Sequence, residues 1–172
     1  TLLEDTEDYL NDLQPRLDGK PLFLMGQSMG GLLLARYAET RNVSAKGLIF
    51  MSPFLAFSDD VPKVLLSLAP VLGHWLPWLP VRSVDYHGLS RDPAITEVAA
   101  TDPFSFHGKV CAGTGAQMQA AVQQACADLI KIKLPVYVAC GTADALVSPV
   151  GSQMLYDTCS ATDKTLRIHE GA

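Results

Sequence analysis

The sequence predicts an α/β fold built on a parallel sheet, because two kinds of pattern alternate along the chain. Short, continuous apolar runs such as Leu22-Phe23-Leu24-Met25 are typical of strands buried on both faces. Helical patterns lie between these runs, and parallel strands need such crossover connections. With 172 residues, 48% of them hydrophobic and 18% charged, the chain has enough apolar material for one packed domain.

The first part of the chain is predicted to form helix, strand, helix and strand in that order. Residues 2–17 repeat apolar side chains at helical spacing, which predicts an amphipathic helix. A strand over 22–25 follows, then a glycine-rich turn, a helix over 32–40 and a second buried strand over 45–51.

The middle of the chain differs in composition, and we expect a helical cap or lid inserted at about 54–130. Residues 61–80 hold both tryptophans and several prolines among leucine and valine. These prolines, with Lys63 and His74, interrupt the apolar stretch of about 20 residues that a membrane-spanning helix requires. A cap is therefore a better interpretation of this segment than a membrane span.

The sheet pattern resumes after the insertion. A polar connection is predicted over 83–101, a helix over 117–130, a strand over 135–140, a helix over 149–159 and a strand over 165–169. The chain therefore both begins and ends in the same α/β pattern.

Charge and cysteine usage exclude several classes of function. A net charge of -5 without a cluster of Lys and Arg argues against nucleic acid as a partner. The four cysteines lack metal-ligand spacing, which predicts free, buried thiols in a reducing compartment.

No metal or organic cofactor is implied. Gly113-Thr114-Gly115 starts a nucleotide-binding pattern, but Met118 stands at its third glycine and no strand is predicted before it.

Gly26-Gln27-Ser28-Met29-Gly30 matches the Gly-x-Ser-x-Gly pattern, in which the serine lies on a sharp turn between a strand and a helix. We expect no room for a Cβ at either glycine of the pattern, and Gly31 extends the close packing. The helix N-terminus favours the negative charge that develops during acyl transfer. Ser28 is therefore the candidate nucleophile, and the alternative is a structural glycine-rich turn.

A serine nucleophile needs a base that a carboxylate orients, in the chain order Ser, Asp or Glu, His. Asp144 follows the predicted strand over 135–140, so the sheet delivers it to the same edge as Ser28. The alternative is an aspartate in an ordinary turn or helix cap. Asp157 and Asp163 are weaker candidates because they lie in polar helix-end surroundings.

The histidines do not supply an evident base. Only His169 follows Asp144, and it lies within a predicted strand rather than on the loop after it. His74, His87 and His107 lie in the insertion and are predicted to be surface, cap or lining residues.

Five segments of the sequence are distinctive when they are taken together. They are Gly26 to Gly31; Ser52-Pro53; Ser90-Arg91-Asp92-Pro93 with Asp102-Pro103; Gly141 to Asp144; and Asp163 to Leu166 with Glu170-Gly171-Ala172. In this order they resemble the monoacylglycerol lipase group of the α/β-hydrolases, among the serine aminopeptidase S33-like hydrolases. The likeness spans nearly the whole chain.

The resemblance implies an α/β-hydrolase fold of which residues 1–172 form a partial domain. In the family, the catalytic His follows almost directly after the Gly-Ala pair, which places the base just beyond Ala172. An earlier strand of the family supplies one oxyanion-hole N–H, and the backbone N–H of Met29 supplies the other. Without that strand we expect an unpaired sheet edge and low stability of residues 1–172.

The resemblance further implies a serine carboxylester hydrolase that cleaves monoacylglycerol or similar single-acyl-chain lipid esters through an acyl-enzyme. A lysophospholipase and a phenolic-ester esterase are alternatives, and so is a non-catalytic α/β-hydrolase-like binding protein if the chain ends at Ala172. The expected partners are a lipid ester and, through the apolar cap, a membrane surface, although the cap could instead be buried against its own domain. The expected location is cytoplasmic or peripheral to a membrane.

Overall fold

A computed structural model of the chain describes residues 1–58, 60–83 and 88–172. Two units are distinguished: the first unit is Thr1–Ala56 with Ala121–Ala172, and the second unit is Phe57–Ala120. In chain order the elements are α1 (Leu2–Leu13), β1 (Phe23–Gln27), α2 (Met29–Thr40), β2 (Gly47–Met51), α3 (Lys63–Trp75), β3 (Pro80–Ser83), α4 (Pro93–Thr101), β4 (Lys109–Cys111), α5 (Ala112–Asp128), β5 (Val136–Gly141), α6 (Pro149–Thr158) and β6 (Lys164–His169).

The first unit contains the predicted parallel sheet. Its strand order is β1-β2-β5-β6, and every neighbouring pair is parallel. Helices α2 and α6 both contact the 3-10 turn Leu129–Lys131, so they lie on one face of the sheet, as right-handed crossovers require. The core between them consists of side chains that are almost fully buried, namely Leu48, Phe50, Leu129, Ile132, Val138 and Leu155.

The strands differ in burial according to their place in the sheet. The central strands β2 and β5 are largely buried, as their apolar runs predict. The prediction that β1 is buried on both faces is wrong, because Phe23 is 55% and Met25 63% exposed. In the described part of the chain β1 pairs only with β2, so it is an edge strand, and the exposure of Phe23 and Met25 shows that the face carrying them is not covered there either.

The second unit, Phe57–Ala120, lies within the range of about 54–130 where a cap insertion is expected. At one end Leu55 is 1% exposed, and the carbonyl of Ala56 accepts a hydrogen bond from the N–H of Ser148 at 3.3 Å, so both residues pack in the first unit. At the other end α5 continues into the first unit, where Ala125 is fully buried.

The second unit contains elements that the sequence did not predict. The segment expected to be a polar connection over 83–101 contains α4, which Asp92 caps by accepting a hydrogen bond from the N–H of Ala94 at 2.9 Å. Asp followed by Pro93 is a readable helix-start signal. Strands β3 and β4 form a short antiparallel pair, and β4 precedes Gly113, where no strand was predicted.

Helix α3 continues through Pro70. In the described ranges, none of the helices combines the length and the apolar character needed to traverse a bilayer.

The four cysteines are free thiols, as predicted. Their predicted burial holds for Cys140 and Cys159, whereas Cys111 and Cys126 are half-buried.

Candidate active site

The candidate site lies where the parallel strands of the first unit end. Gln27 pairs with Met51, and Met51 pairs with Ala139, so the carboxyl ends of β1, β2 and β5 form one edge of the sheet. Ser28 directly follows β1, and Asp144 follows β5 by three residues. The sheet therefore delivers both predicted residues to the same edge, with β2 between them.

Ser28 has the backbone of a sharp turn. Its φ of 50° lies in the left-handed region, which a residue with a Cβ rarely adopts. Although Ser28 stands at the N-cap position of α2, its hydroxyl does not make a capping hydrogen bond, and the residue is exposed. A serine that caps a helix uses its hydroxyl on the backbone. Ser28 does not, so its hydroxyl is available for a ligand.

The glycines around Ser28 are not equivalent. A Cβ on Gly26 would overlap the carbonyl oxygen of Gly30 and would lie 2.7 Å from its carbonyl carbon. A Cβ on Gly31 would lie 2.8 Å from both Cα and Cβ of Pro53. A Cβ on Gly30 would meet no heavy atom within 4 Å. The predicted collision at Gly30 is therefore wrong, because Gly30 contributes its backbone to the contact and its Cβ direction points into open space.

Met29 is the first residue of α2. Its N–H belongs to the first helical turn, whose N–H groups have no acceptor within the helix. The side chain is 56% exposed. This N–H is therefore suited to donate a hydrogen bond to a negatively charged atom of a bound group.

The carboxylate of Asp144 is only partly used by its own turn. Its Oδ1 accepts hydrogen bonds from the N–H groups of Leu146 and Val147, both at 2.9 Å. This is the turn-forming role weighed against a catalytic one in the sequence. Among the described residues, however, no donor bonds to Oδ2. The residue is half-buried, so one carboxylate oxygen is held in place while the other is available.

The end of β6 packs against the loop that carries Asp144. The N–H of Ala143 donates to the carbonyl of Ala172 at 2.7 Å, and the N–H of Thr142 donates to the carbonyl of His169 at 3.1 Å. The hydroxyl of Thr142 accepts from the N–H of Gly171 at 2.9 Å. Gly171 has a φ of 69°, which lets the chain turn back towards Asp144.

The other predicted candidates lie elsewhere. His169 is the last residue of β6 and is exposed, in agreement with its assignment to a strand. Asp163 precedes β6 and thus lies at the opposite edge of the sheet. Both carboxylate oxygens of Asp157 accept hydrogen bonds from Gln153 at 3.0 Å.

Two of the remaining histidines belong to the second unit. His74 and His107 are both exposed there. His74 lies edge-on to the ring of Trp75 at 5.0 Å, and Nε2 of His107 lies 2.8 Å from the carbonyl oxygen of Asp102. His87 lies outside the described residues.

Ser52 is a site residue that sequence reasoning missed. Ser52-Pro53 is one of the five segments that carry the family resemblance, but sequence reasoning assigned Ser52 no role of its own; in the structure Ser52 has a φ of 41° and lies at the same edge of the sheet as Ser28. A serine before proline carries no sequence signal of a left-handed backbone, because proline favours an extended residue before it.

The most perturbed carboxyl group lies far from this edge. Glu39 stands 11 residues after Ser28, which corresponds to roughly 16 Å along α2. Burial raises the pKa of Glu39 to about 7. The Arg36 guanidinium, which donates a hydrogen bond to Oε2 at 2.7 Å, acts in the opposite direction and lowers the pKa.

No cluster of three His, Cys, Asp or Glu residues suited to a metal ion is found in the part of the chain that the structure describes.

Comparison with known proteins places this geometry in a family. The family model described as serine aminopeptidase S33 matches residues 1–172. Caffeoylshikimate esterase from Arabidopsis thaliana is 31% identical over 156 residues, covering 88% of this chain and 47% of that protein. Human monoglyceride lipase is 31% identical over 173 residues, covering 99% of this chain and 56% of that protein.

A solved structure shows the same fold. The crystal structure of Paleococcus ferrophilus monoacylglycerol lipase superposes with a TM-score of 0.83 at 34% identity, covering 100% of this chain and 66% of that one. The chain spans about half the length of the two curated relatives. Because the family model matches all 172 residues and the solved structure superposes over the whole chain, this chain belongs to the serine aminopeptidase S33 family and has the α/β-hydrolase fold.

Proposed function

We propose that the protein is a serine ester hydrolase that cleaves monoacylglycerols or similar single-acyl-chain lipid esters. The observation that carries this proposal is the conformation of Ser28 at the N-terminus of α2. Its backbone is strained, the residue is exposed and its hydroxyl does not cap the helix. The names of the relatives, which include monoglyceride lipase and monoacylglycerol lipase, support the substrate class.

In this mechanism a base takes the proton of Ser28 Oγ while the oxygen attacks the ester carbonyl; the C–O bond to the alcohol then breaks, and the alcohol leaves with that proton. Water hydrolyses the resulting acyl-enzyme, which releases the fatty acid and restores the Ser28 hydroxyl. The Met29 N–H stabilises the oxyanion, assisted by the positive end of the α2 dipole. Because the oxyanion exists only in the transition state and the tetrahedral intermediate, this hydrogen bond accelerates the reaction rather than tightening substrate binding.

Asp144 would orient the base through its available Oδ2. We expect that base to be a histidine C-terminal to Ala172. A residue following Ala172 would lie close to Asp144, because the Ala172 carbonyl is bonded to the N–H of Ala143. Adjacent strands lie about 4.8 Å apart, so β1 and β5 are separated by roughly 10 Å. This distance leaves room for an imidazole ring with a hydrogen bond at each nitrogen.

A phenolic ester is the second candidate substrate. Caffeoylshikimate esterase is as similar in sequence to this chain as the human lipase is, at 31% identity. Both substrates would use the same nucleophile, so they differ only in the group bound next to it. Parallel assays on a monoacylglycerol and on a caffeoyl ester distinguish these two activities.

Labelling with a fluorophosphonate tests the nucleophile directly in the protein as its source makes it. We expect the wild type to be labelled and Ser28→Ala to lose both labelling and ester hydrolysis. Ser44→Ala is the matched control, because Ser44 is also exposed but lies before β2, at the opposite edge. Asp144→Asn should lower kcat by about 10⁴-fold, as for other triads that lose the orienting charge.

The labelling and hydrolysis assays distinguish a catalytic protein from one that only binds its ligand. A wild-type protein that is neither labelled nor active on either ester would contradict the hydrolase proposal and favour the non-catalytic binding protein. Labelling that persists in Ser28→Ala would assign the nucleophile to another residue.

Contact with a membrane surface is a further part of this proposal. Four apolar side chains of α3 lie at helical spacing on one face, and all are about half or more exposed; they are Val64, Leu68, Val71 and Trp75. We call them the α3 stripe. An exposed apolar stripe that includes a tryptophan is typical of helices that lie at a membrane interface. A lipase with single-chain substrates would find them at that interface.

A further inference from the structure

Two serines at the candidate site have a left-handed backbone. Ser28 follows β1 with a φ of 50°, and Ser52 follows the neighbouring strand β2 with a φ of 41°. Ser52 is disfavoured twice, because it carries a Cβ and because proline follows it. Residues in such conformations persist only where the surrounding structure imposes them, and they cluster at functional sites.

Met51 before the bend at Ser52 and Phe54 after it both form backbone hydrogen bonds with Ser28. Before the bend, the carbonyl of Met51 accepts the N–H of Ser28 at 3.1 Å. After it, the N–H of Phe54 donates to the carbonyl of Ser28 at 2.9 Å. Both backbone polar groups of Ser28 are therefore bonded to the segment that Ser52 bends.

Pro53 holds this bent segment in place. It is almost fully buried, and its Cα and Cβ occupy the space that a Cβ on Gly31 would need. The N–H of Ser52 also donates to the carbonyl of Ala139 at 2.8 Å, which anchors the start of the bend to β5. The segment therefore has little freedom to move relative to the sheet.

The bond from Phe54 has a consequence for Met29. The Ser28 carbonyl and the Met29 N–H belong to one planar peptide group and point in opposite directions. That carbonyl accepts three N–H groups, from Gly31 at 2.9 Å, from Leu32 at 3.2 Å and from Phe54 at 2.9 Å. Fixing the carbonyl fixes the direction of the Met29 N–H, and donors on the carbonyl polarise the peptide and strengthen its N–H as a donor.

The three donors differ in origin. Gly31 and Leu32 belong to α2 and turn with the helix, whereas Phe54 belongs to the segment after β2. Of these three donors, only Phe54 links the Ser28 carbonyl to a segment outside α2.

We propose that Ser52 is a positioning residue for the oxyanion donor. Its left-handed backbone directs the Phe54 N–H onto the Ser28 carbonyl and thereby aims the Met29 N–H at the oxyanion. This inference rests on the proposed hydrolase function. The role belongs to the Ser52 backbone: its hydroxyl makes no hydrogen bond within the described ranges.

Two substitutions separate the backbone from the hydroxyl. Ser52→Gly removes the hydroxyl but adopts a positive φ freely, whereas Ser52→Thr keeps the hydroxyl and, being β-branched, resists a positive φ. In the protein as its source makes it, we expect Ser52→Gly to keep kcat within about threefold. Ser52→Thr should lower kcat by about tenfold or more, with KM within about twofold, because misaiming one oxyanion donor loses part of its 10²–10³-fold effect.

A reversible boronic acid, which forms a tetrahedral adduct on the nucleophile, gives a second measurement. We expect its affinity for Ser52→Thr to fall in parallel with kcat, since the adduct resembles the tetrahedral intermediate. If Ser52→Thr does not fold, Ser52→Asn and Ser52→Ala replace the pair. Asn adopts the left-handed region more readily than Ala, so Ser52→Asn should be the more active of the two.

The opposite order of activities would overturn the proposal, because an active Thr variant and an impaired Gly variant would assign the role to the hydroxyl. An active wild type whose Thr variant keeps its kcat would contradict this inference alone. A wild type without any ester hydrolysis would contradict the proposed function as well. Equal changes in KM and boronic acid affinity in both variants would indicate a general loss of structure and would also overturn it.

Discussion

Replacing each glycine of the Gly-x-Ser-x-Gly motif by alanine tests the packing at the elbow most directly. The added methyl group at Gly26 would lie under 3.0 Å from three backbone atoms, whereas the same group at Gly30 would meet nothing within 4 Å. The sequence motif treats the two glycines alike. The structure predicts opposite effects on stability.

The expected magnitudes follow from the contacts. At Gly26 the crowding atoms are backbone and cannot rotate away, so the strand and α2 must separate, and such overpacking costs about 1–3 kcal/mol. Gly30 lies inside α2 and has no positive φ, so Gly30→Ala should gain up to about 1 kcal/mol from helix propensity. For a chain of this size each kcal/mol shifts Tm by roughly 2–4 °C.

Thermal and urea unfolding followed by circular dichroism measure both variants. We expect Gly26→Ala to unfold several degrees below the wild type and Gly30→Ala to unfold at the wild-type temperature or slightly above. Stability rather than activity is the readout, because either methyl group could disturb the adjacent Ser28. A Gly30→Ala variant as unstable as Gly26→Ala would refute the reasoning, as would a Gly26→Ala variant of wild-type stability.

Two further predictions concern groups away from Ser28. Because the pKa of Glu39 is raised from 4.5 to about 7, the folded protein binds more protons than the unfolded chain between these values, and its free energy of unfolding should fall by about 3 kcal/mol as the pH rises through this range. Glu39→Gln should abolish this fall in urea titrations at pH 5 and pH 8, and an unchanged pH dependence would contradict the assignment. Val71→Glu in the α3 stripe should weaken co-sedimentation with phosphatidylcholine vesicles by about tenfold, since it removes the burial of one apolar side chain. Val98→Glu, a change at a similarly exposed valine of α4, is the control, and equal losses in both variants would exclude a specific role of the stripe.

Local sequence patterns predicted the central sheet well. The apolar runs of β2 and β5 belong to central strands of the sheet, and both strands are largely buried, although Tyr137 in β5 is 39% exposed. The same pattern failed for β1, where Phe23 and Met25 are exposed. A run of apolar residues shows that a strand is able to be buried on both faces. Whether other elements cover those faces depends on the tertiary structure and not on the local sequence.

Other elements were missed for different reasons. Helix α4 had a readable start at Asp92-Pro93, which was outweighed by the polar composition around it. Strands β3 and β4 span only four and three residues, too few for a period to be recognised. Their pairing is a tertiary contact with little local signature.

The candidate site shows the same division. The sequence by itself determined that a serine lies on a strand-to-helix turn and that Asp144 follows a later parallel strand, because both depend on the order of residues along the chain. The tertiary structure decided that Gly26 and not Gly30 lacks space for a Cβ, and that Ser52 bends the chain onto Ser28. These features depend on close contacts between backbone atoms of segments that are separate in the sequence. The spacing of residues along the chain does not predict those contacts.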